Sequence, residues 1–149
     1  MLDNSDIKIL SLLQKDGRKK RSELAEAIGI SLPSLSERLN KLEEAGIITG
    51  YYAKLDKKAF GFDITAFIIV VMDSSKNYPQ FSEHVKKTPE IVECHAILGE
   101  GSHMMKAIVK DNSSLEGLLS KVQSWPGVQR TITSYVLSTI KETTSLNIL

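Results

Sequence analysis

The residues with the clearest chemical meaning are basic and short polar ones in the first third of the chain. Residues 18–21 read Arg-Lys-Lys-Arg, the only run of four like charges in the sequence. Segment 31–45 then interleaves serines, an asparagine and basic residues with leucines. Cationic side chains bind phosphate oxygens, and short or forked hydrogen-bonding side chains suit base edges in the major groove. Together the two segments are typical of a nucleic-acid interface, although the basic run alone is more typical of a solvated loop.

Other kinds of chemistry find little support in the sequence. It contains no nucleophile motif, phosphate-binding loop or pair of catalytic carboxylates, so nothing indicates an enzyme or a bound cofactor. The single cysteine, Cys94, excludes an internal disulfide and a cysteine-rich zinc site. His95 adjoins it, but neighbouring side chains of a strand point to opposite faces, and we predict no metal site. His84 lies on a predicted helix and is expected to face solvent.

The composition is that of an ordinary globular protein, with 42% hydrophobic and 25% charged residues among 149 and a net charge of +1. No stretch approaches the roughly 20 consecutive apolar residues that span a bilayer, so no membrane partner is expected. Residues 1–6 lack the basic and apolar regions of a secretory signal. These features predict a cytoplasmic protein.

The apolar spacing of residues 3–46 predicts three helices. Asp3 can cap the first helix, and a short second helix is predicted over 21–28. Gly29 supplies a tight turn, and Ser31 can cap a longer third helix that ends near Ala45. A short helix, a turn with glycine and a longer amphipathic helix make a helix-turn-helix unit, here expected to be winged-helix-like.

The third helix predicts how such a unit would meet DNA. Leu35, Leu39 and Leu42 form its inward side, which leaves the polar residues outside to read bases, while the basic run lies where a phosphate backbone would pass. Double-stranded DNA is therefore the expected partner. The predicted DNA-binding residues are Arg18, Lys19, Lys20, Arg21, Ser31, Ser34, Ser36, Glu37, Arg38, Asn40 and Lys41.

The pattern changes after residue 46. Residues 47–56 are rich in β-branched and aromatic side chains and predict a linking strand, followed by a hinge. The later elements are expected as strand 64–72, helix 78–87, strands 91–98 and 104–110, helix 113–123 capped by Ser113 or Ser114, and strand 128–140. This β-α-β-β-α-β order is the ferredoxin-like split unit. The sequence thus predicts an α+β protein with a helix-turn-helix domain (1–48), a linking strand and hinge (49–62) and a ferredoxin-like domain (63–149).

The strand predicted over 64–72 also indicates self-association. A sheet covered by helices on one side should alternate apolar and polar residues, yet Phe67, Ile69 and Val71 make the second side apolar too. Leaving that side in water would expose several hundred Å² of apolar surface. A second copy of the sheet would cover it, so we predict a homodimer that carries two helix-turn-helix units to a two-fold DNA site.

The whole chain resembles the Lrp/AsnC (leucine-responsive regulatory protein / asparagine regulator) family of transcriptional regulators. The order of several short motifs carries the resemblance. These motifs are Leu2-Asp3 with 6–10 and 13–18, Glu23-Leu24-Ala25 with Gly29-Ile30-Ser31, Arg38 to Glu43 with Gly46-Ile47-Ile48, Gly50 to Asp56, Pro126-Gly127-Val128, Thr131 to Ser134, and Leu137 to Glu142.

The resemblance implies control by an amino acid or related metabolite, bound between dimers near the turn that joins the two central strands. It also implies assembly of dimers into tetramers or octamers. Mapped here, the effector-binding residues are Gly99, Glu100, Gly101, Ser102, His103, Thr131, Thr133, Ser134 and Tyr135. Glycines can offer backbone N–H groups to a carboxylate, and Glu100 or a hydroxyl could hold an α-amino group.

Two departures from the family pattern bear on this reading. Ser102-His103 stand where the family usually has an aspartate and its aromatic or apolar neighbour, which leaves the effector's identity open. His103 itself suits either a ligand contact or an ordinary surface turn. In addition, Lys20 replaces the usual Ser or Thr cap of the second helix, which is tolerated more easily if phosphate lies nearby.

The sequence supports three functions of different classes. The leading interpretation is a metabolite-responsive transcriptional regulator, associated with the nucleoid. The alternative is an architectural DNA-binding protein without an effector, which would cover DNA broadly instead of at few sites. A third is an allosteric subunit of an enzyme complex, which would not bind DNA.

Overall fold

The computed structural model describes residues 1–149 and divides them into two compact units. One unit comprises Met1–Lys54 together with Lys141–Leu149, and the other comprises Leu55–Ile140. The last nine residues were expected with the ferredoxin-like domain but belong to the helical unit. The side-chain amide of Gln14 explains this, because it donates to the Leu146 carbonyl oxygen at 3.0 Å and accepts from the Leu146 amide at 2.6 Å.

The helical unit contains α1 (Asn4–Lys15), α2 (Arg21–Ile28) and α3 (Leu32–Glu44). Asp3 and Ser31 cap α1 and α3 with side-chain oxygens, as predicted, and Gly29 ends α2 in the left-handed region at φ 78°. The fully buried residues of the unit come from all three helices. They are Ile9, Leu24, Ala25, Leu35, Leu39 and Leu42.

The linking strand predicted over 47–56 is wrong for the single chain. Residues 51–56 take part in no ladder, and the segment ends in a short 3₁₀ helix, Lys57–Phe60. A β-rich composition forms a strand only where another strand satisfies its backbone donors and acceptors. The sheet of this chain has four strands, and none of them comes from the segment.

The second unit contains β1 (Ile64–Met72), α4 (Tyr78–Lys86), β2 (Ile91–Ala96), β3 (His103–Val109), α5 (Asn112–Gln123) and β4 (Val128–Tyr135). The sheet order is β2-β3-β1-β4, and every neighbouring pair is antiparallel. This is the ferredoxin-like topology that the sequence predicts. None of the five α-helices is both long enough and apolar enough to cross a membrane.

Most element boundaries differ from the prediction by one or two residues, and two differences have a clear physical reason. The last strand ends at Tyr135 and not at residue 140, because Tyr135 pairs with Ala66 and β1 begins only two residues before that position. Helix α5 is capped by Asp111 and not by a serine. The Asp111 carboxylate accepts from the Ser114 amide and hydroxyl, both at 2.8 Å, so the serine is its partner.

The two faces of the sheet have different surroundings. On one face, Ile68 and Val70 of β1 pack with Phe81, Val122 and other helix residues in the core. His84 of α4 was expected in solvent but is half-buried, and its ring stacks on Trp125 with centroids 5.1 Å apart. The opposite face carries no helix.

Candidate nucleic-acid interface and ligand turn

The outward side of α3 carries the most exposed of the predicted base-reading residues. Glu37, Asn40 and Lys41 are exposed, whereas Ser34 and Ser36 are half-buried on the flanks of the helix. Pro33 and Glu44 share the exposed stripe at helical spacing. Lys41 is paired with Glu37 at 2.8 Å, and the hydrogen bond from Lys41 holds the pKa of the Glu37 carboxyl below its usual value. Such exposed pairs exchange readily, so Lys41 can turn to another anion.

One flank of α3 connects with the basic run. The Arg21 guanidinium donates to the Ser36 hydroxyl at 3.3 Å, which places the end of the run beside the third helix. Arg18, Lys20 and Arg21 are exposed, and Lys19 is half-buried. Because Lys20 is the N-cap of α2 and makes no side-chain capping bond, the first amides of α2 keep their partial positive charge for an anion. The structure therefore places cations and free helix amides together.

The same flank also holds a residue that was not predicted. The Tyr51 hydroxyl donates to the Glu43 carboxylate at 3.0 Å. Partial burial, and then this hydrogen bond, raise the pKa of Tyr51. Nothing local in the sequence signals the contact, because the tyrosine lies beyond the end of α3.

Arg38 lies on the opposite flank and does not project with Asn40 as expected. Its Nη1 atom is 2.7 Å from Asp3 Oδ2 and 2.9 Å from Asp6 Oδ1, at the start of α1. These bonds, with Asp3 first, raise the pKa of Arg38. The pKa of Asp3 is lowered first by the Asp6 amide and then by Arg38. The sequence prediction missed the two aspartates, since Asp3 is 35 residues and Asp6 is 32 residues from Arg38.

The turn from Gly99 to Ser102 is fixed by its backbone. Gly101 has φ +79°, and a Cβ atom there would lie 2.5 Å from Ile69 Cγ2 and 2.8 Å from the Val70 carbonyl oxygen. The Ser102 amide and hydroxyl donate to that same Val70 oxygen at 2.9 and 3.3 Å. Only glycine fits at position 101 without displacing Ile69 or the Val70 backbone.

His103 faces the helices, not the open end of the turn. Its ring lies 4.9 Å from Tyr78 and 4.7 Å from Phe81, centroid to centroid, and its Nδ1 is 2.7 Å from the Ser102 hydroxyl. Burial lowers the pKa of His103. The ring contacts thus make it part of the packing between β3 and α4.

The predicted effector residues of β4 do not converge on this turn within one chain. Thr131 pairs with Val70, which also pairs with His103, so Thr131 shares a row of the sheet with the turn. Tyr135 pairs with Ala66, four residues further along β1, about 13 Å away. Thr133 follows Thr131 on the helix-covered face, and Ser134 lies on the other face, because successive strand residues alternate. Gln123, which was not predicted, donates to the Thr131 hydroxyl at 2.9 Å.

The face of the sheet without helices is apolar in its centre. Phe67 is 39% exposed, and Ile69, Val71, Met104, Ile108 and Ile132 are half-buried. The strand registers place all of them on this face. Charged groups lie toward its edge, where Glu93 is 3.7 Å from Lys106 and 3.3 Å from His95. This is the face for which the sequence predicts a covering sheet.

Both units match models of known protein families. Residues 2–49 match the winged helix-turn-helix DNA-binding model, and residues 65–146 match the Lrp/AsnC ligand binding domain. The HTH-type transcriptional regulator FL11 of Pyrococcus horikoshii is 37% identical over 147 residues, which are 99% of this chain and 97% of that protein.

Solved structures agree over the full length. A transcriptional regulator of Neisseria meningitidis, solved in complex with L-methionine, has a TM-score of 0.94 and 37% identity, covering 99% of this chain and 97% of that one. AsnC of Escherichia coli has a TM-score of 0.91 and 30% identity, covering 97% and 98%. These proteins are regulators and not enzymes. The chain belongs to the Lrp/AsnC family of DNA-binding transcriptional regulators.

Proposed function

We propose that this protein is a sequence-specific transcriptional regulator whose DNA binding or assembly responds to an amino acid or a related small metabolite. The observation that carries the proposal is the hydrogen bond from Arg21 to Ser36, which brings the basic run to the exposed polar stripe of α3. Phosphate contacts and base contacts are thereby available from one surface. Because chromosomal DNA is the partner, we expect the protein in the cytoplasm, at the nucleoid.

In this function the basic run and the exposed residues of α3 contact different parts of the DNA. Arg18, Lys20 and the amides of α2 contact phosphates and fix the register of the protein on the duplex. Asn40 can bond an adenine edge, and Glu37 can accept from a cytosine once Lys41 turns to a phosphate. The serines at 31, 34 and 36 bond either bases or backbone.

We further propose that two copies pair through the uncovered sheet face. Its apolar centre around Phe67 and Ile69 and its charged edge match the core and rim of protein interfaces. A stable dimer buries about 800 Å² on each partner. Pairing also offers residues 47–56 the chance of a strand partner in the second copy. Larger assemblies, tetramers or octamers, would form from such dimers.

Sedimentation tests the dimer. Phe67→Glu should give monomers, because a carboxylate would then be buried in the apolar centre. Ser120→Glu, an exposed position on α5, serves as the control and should leave the dimer intact. A dimeric Phe67→Glu protein would show that the copies meet elsewhere.

The effector proposal rests on the ligand turn and on the relative that was solved with L-methionine. The rigid turn with Gly99 and Gly101 offers backbone amides to a carboxylate. Since Thr133, Ser134 and Tyr135 of the same chain do not converge on it, we propose that those residues reach the turn of another copy in the assembly. Glu100 or a hydroxyl then holds the amino group.

Two measurements test the regulator function as a whole. The first is selection of duplexes from a randomised library, in which enrichment of one two-fold motif is expected. The second is calorimetric titration of the purified assembly with each of the twenty amino acids, in which one or a few should bind. Enrichment of no motif, with broad binding of AT-rich DNA, would support the architectural alternative, which the regulator names and the L-methionine complex among the matched proteins disfavour.

A further inference from the structure

Arg38 donates hydrogen bonds to the two aspartates that cap the start of α1. The Asp6 amide donates to Asp3 Oδ1 at 2.9 Å, and the Asp3 amide donates to Asp6 Oδ2 at 3.1 Å, a reciprocal capping box. The other oxygen of each carboxylate accepts from Arg38 Nη1, at 2.7 and 2.9 Å. All four carboxylate oxygens are thus used, two for the helix cap and two for α3.

Other bonds hold the opposite flank of the same helix. Ser36 is bonded to Arg21, and Glu43 is bonded to Tyr51. On a helical wheel, measured across the exposed stripe, Arg38 lies about 200° from Ser36 and about 220° from Glu43. Helix α3 is therefore fastened on both sides of the surface that would face a duplex.

We propose that Arg38 is a positioning residue that sets the rotation of α3 about its own axis, and not a residue that reads a base. This role rests on the proposed DNA-binding function. To reach a base, the guanidinium would have to leave two charge-assisted hydrogen bonds and uncover two carboxylates beside the phosphates. Held in place, it instead balances part of the negative charge that α1 brings to this surface.

The size of the effect follows from helix geometry. Side-chain tips lie about 5–6 Å from a helix axis, so a rotation of about 20° displaces them by about 2 Å. A base-edge hydrogen bond tolerates only a few tenths of an ångström in length. Loosening Arg38 would consequently weaken the contacts of Asn40 and its neighbours, and it would do so without removing any contact between Arg38 and DNA.

The two roles predict opposite signs for a change at Asp6. The probe is the duplex that the wild-type protein selects from a randomised library, and affinity is measured by fluorescence anisotropy at several salt concentrations. If Arg38 positions α3, Asp6→Ala weakens binding roughly threefold to tenfold although it removes a negative charge. If Arg38 reads a base, Asp6→Ala strengthens binding because it releases the cation. Glu26→Ala, an exposed position of α2, is the matched charge control.

Two further readouts separate positioning from direct contact. Arg38→Met should weaken binding by a similar factor, leave the salt slope within about 0.3 of wild type, and add less than about twofold in an Asp6→Ala background. Arg38→Lys should recover part of the affinity, since an ammonium can still bond the carboxylates. The proposal is overturned by tighter binding of Asp6→Ala, by multiplying losses in the double variant, or by a slope reduced by about one.

The same experiment distinguishes a folding defect, a failure of the proposed DNA-binding function and a failure of the positioning role. Far-UV circular dichroism checks folding, and if Arg38→Met unfolds, the sign of Asp6→Ala and the rescue by Arg38→Lys still decide the role. A wild-type protein that enriches no sequence would contradict the proposed DNA-binding function. If the wild type enriches one DNA motif but the Asp6→Ala variant binds that DNA more tightly, only the positioning role is contradicted.

Discussion

The helical unit and the sheet unit hold their candidate functional residues by different means. On α3 the residues expected to meet DNA are bonded to one another and to α1 and α2 through exposed or half-exposed side chains, as in the Glu37–Lys41 and Arg21–Ser36 pairs. In the sheet unit the turn expected to meet a ligand is held by backbone atoms and by the close approach of Gly101 to Val70. The first surface can exchange its partners, whereas the second has a fixed shape.

Because of this difference, we expect DNA binding and ligand binding to be sensitive to different changes. Exposed ion pairs contribute little to stability and are screened by salt, so the DNA surface should respond to ionic strength more than to packing. The turn should respond to any change of shape, because Gly101 lies against Ile69 and against the Val70 backbone, and a backbone carbonyl of a paired strand cannot move aside. Equal effects of salt, or of changes in packing, on the two units would contradict this difference.

The largest effect is expected at the turn. Gly101→Ala forces a Cβ atom against Ile69 and the Val70 carbonyl oxygen at a positive φ, and should destabilise the sheet unit by about 2–4 kcal/mol. Gly101→Asp should in addition abolish ligand binding or higher assembly. Urea unfolding and amino-acid calorimetry measure these losses.

The matched control for that change is another glycine of the same turn. Gly99 also has a positive φ, of +146°, but a Cβ atom there would meet nothing within 4 Å. Gly99→Ala should therefore cost only the backbone strain, about 1–2 kcal/mol. Equal losses at positions 99 and 101 would mean that the close approach to β1 contributes nothing.

On the DNA surface, Lys20→Ser should raise the stability of the helical unit and lower its affinity for DNA. Serine can cap α2, where Lys20 makes no capping bond, so the helical unit should gain about 0.5–1 kcal/mol. Loss of one phosphate contact should reduce the salt slope by about 0.9 and weaken binding roughly threefold. Anisotropy at a series of salt concentrations, with thermal unfolding, measures both.

A charge removed from the other unit provides the control for Lys20. Lys121→Ser takes the same charge from α5 and should leave the slope of DNA binding unchanged. If both variants lower the slope alike, the basic run has no special place in the interface. If Lys20→Ser leaves the slope at its wild-type value, Lys20 does not contact phosphate.

The two units also differ in how well the sequence predicts them. The bounds of α2 and the caps of α1 and α3 follow from local patterns, because a helix takes its core face and its cap from neighbouring residues. The topology of the sheet unit was equally predictable from the order of its elements. The end of β4 was not, since it depends on where β1 begins, far away in the chain.

The candidate sites show the same limit. Exposure of Asn40 and Lys41 follows from helical periodicity, but the bonds of Arg38 join residues whose meeting only the packing of α1 on α3 decides. His103 was expected at a surface turn and proved to pack on Tyr78 and Phe81, because strand register sends it to the helix face. A strand over 47–56 was wrong because the segment pairs with none of the four strands of this chain.

A substitution in α5 should stabilise the sheet unit without changing the affinity of the protein for DNA. Gly117 is an exposed residue in the middle of α5, and a Cβ atom there would meet nothing within 4 Å. Gly117→Ala should therefore stabilise the protein by about 0.5–1 kcal/mol and raise its Tm by about 1–4 °C. Calorimetry measures the change, and DNA affinity should stay within twofold; a change in affinity would show that α5 takes part in binding.

The smallest effect concerns pH and the ring contacts of the turn. Burial lowers the pKa of His103 below its ordinary value of 6.5, so the unfolded chain binds a proton that the folded chain resists. Stability from this residue is complete above pH 6.5 and is lost as pH falls through the lower folded pKa. Half-exposure limits the loss, and we expect the Tm of the wild type to fall more over this range than that of His103→Gln, which cannot titrate. Thermal scans from pH 7.5 to 5 compare the wild type with His103→Gln. Parallel curves of Tm against pH would mean that His103 is as accessible to water as an exposed side chain of the helical unit. The two surfaces would then not differ at this residue.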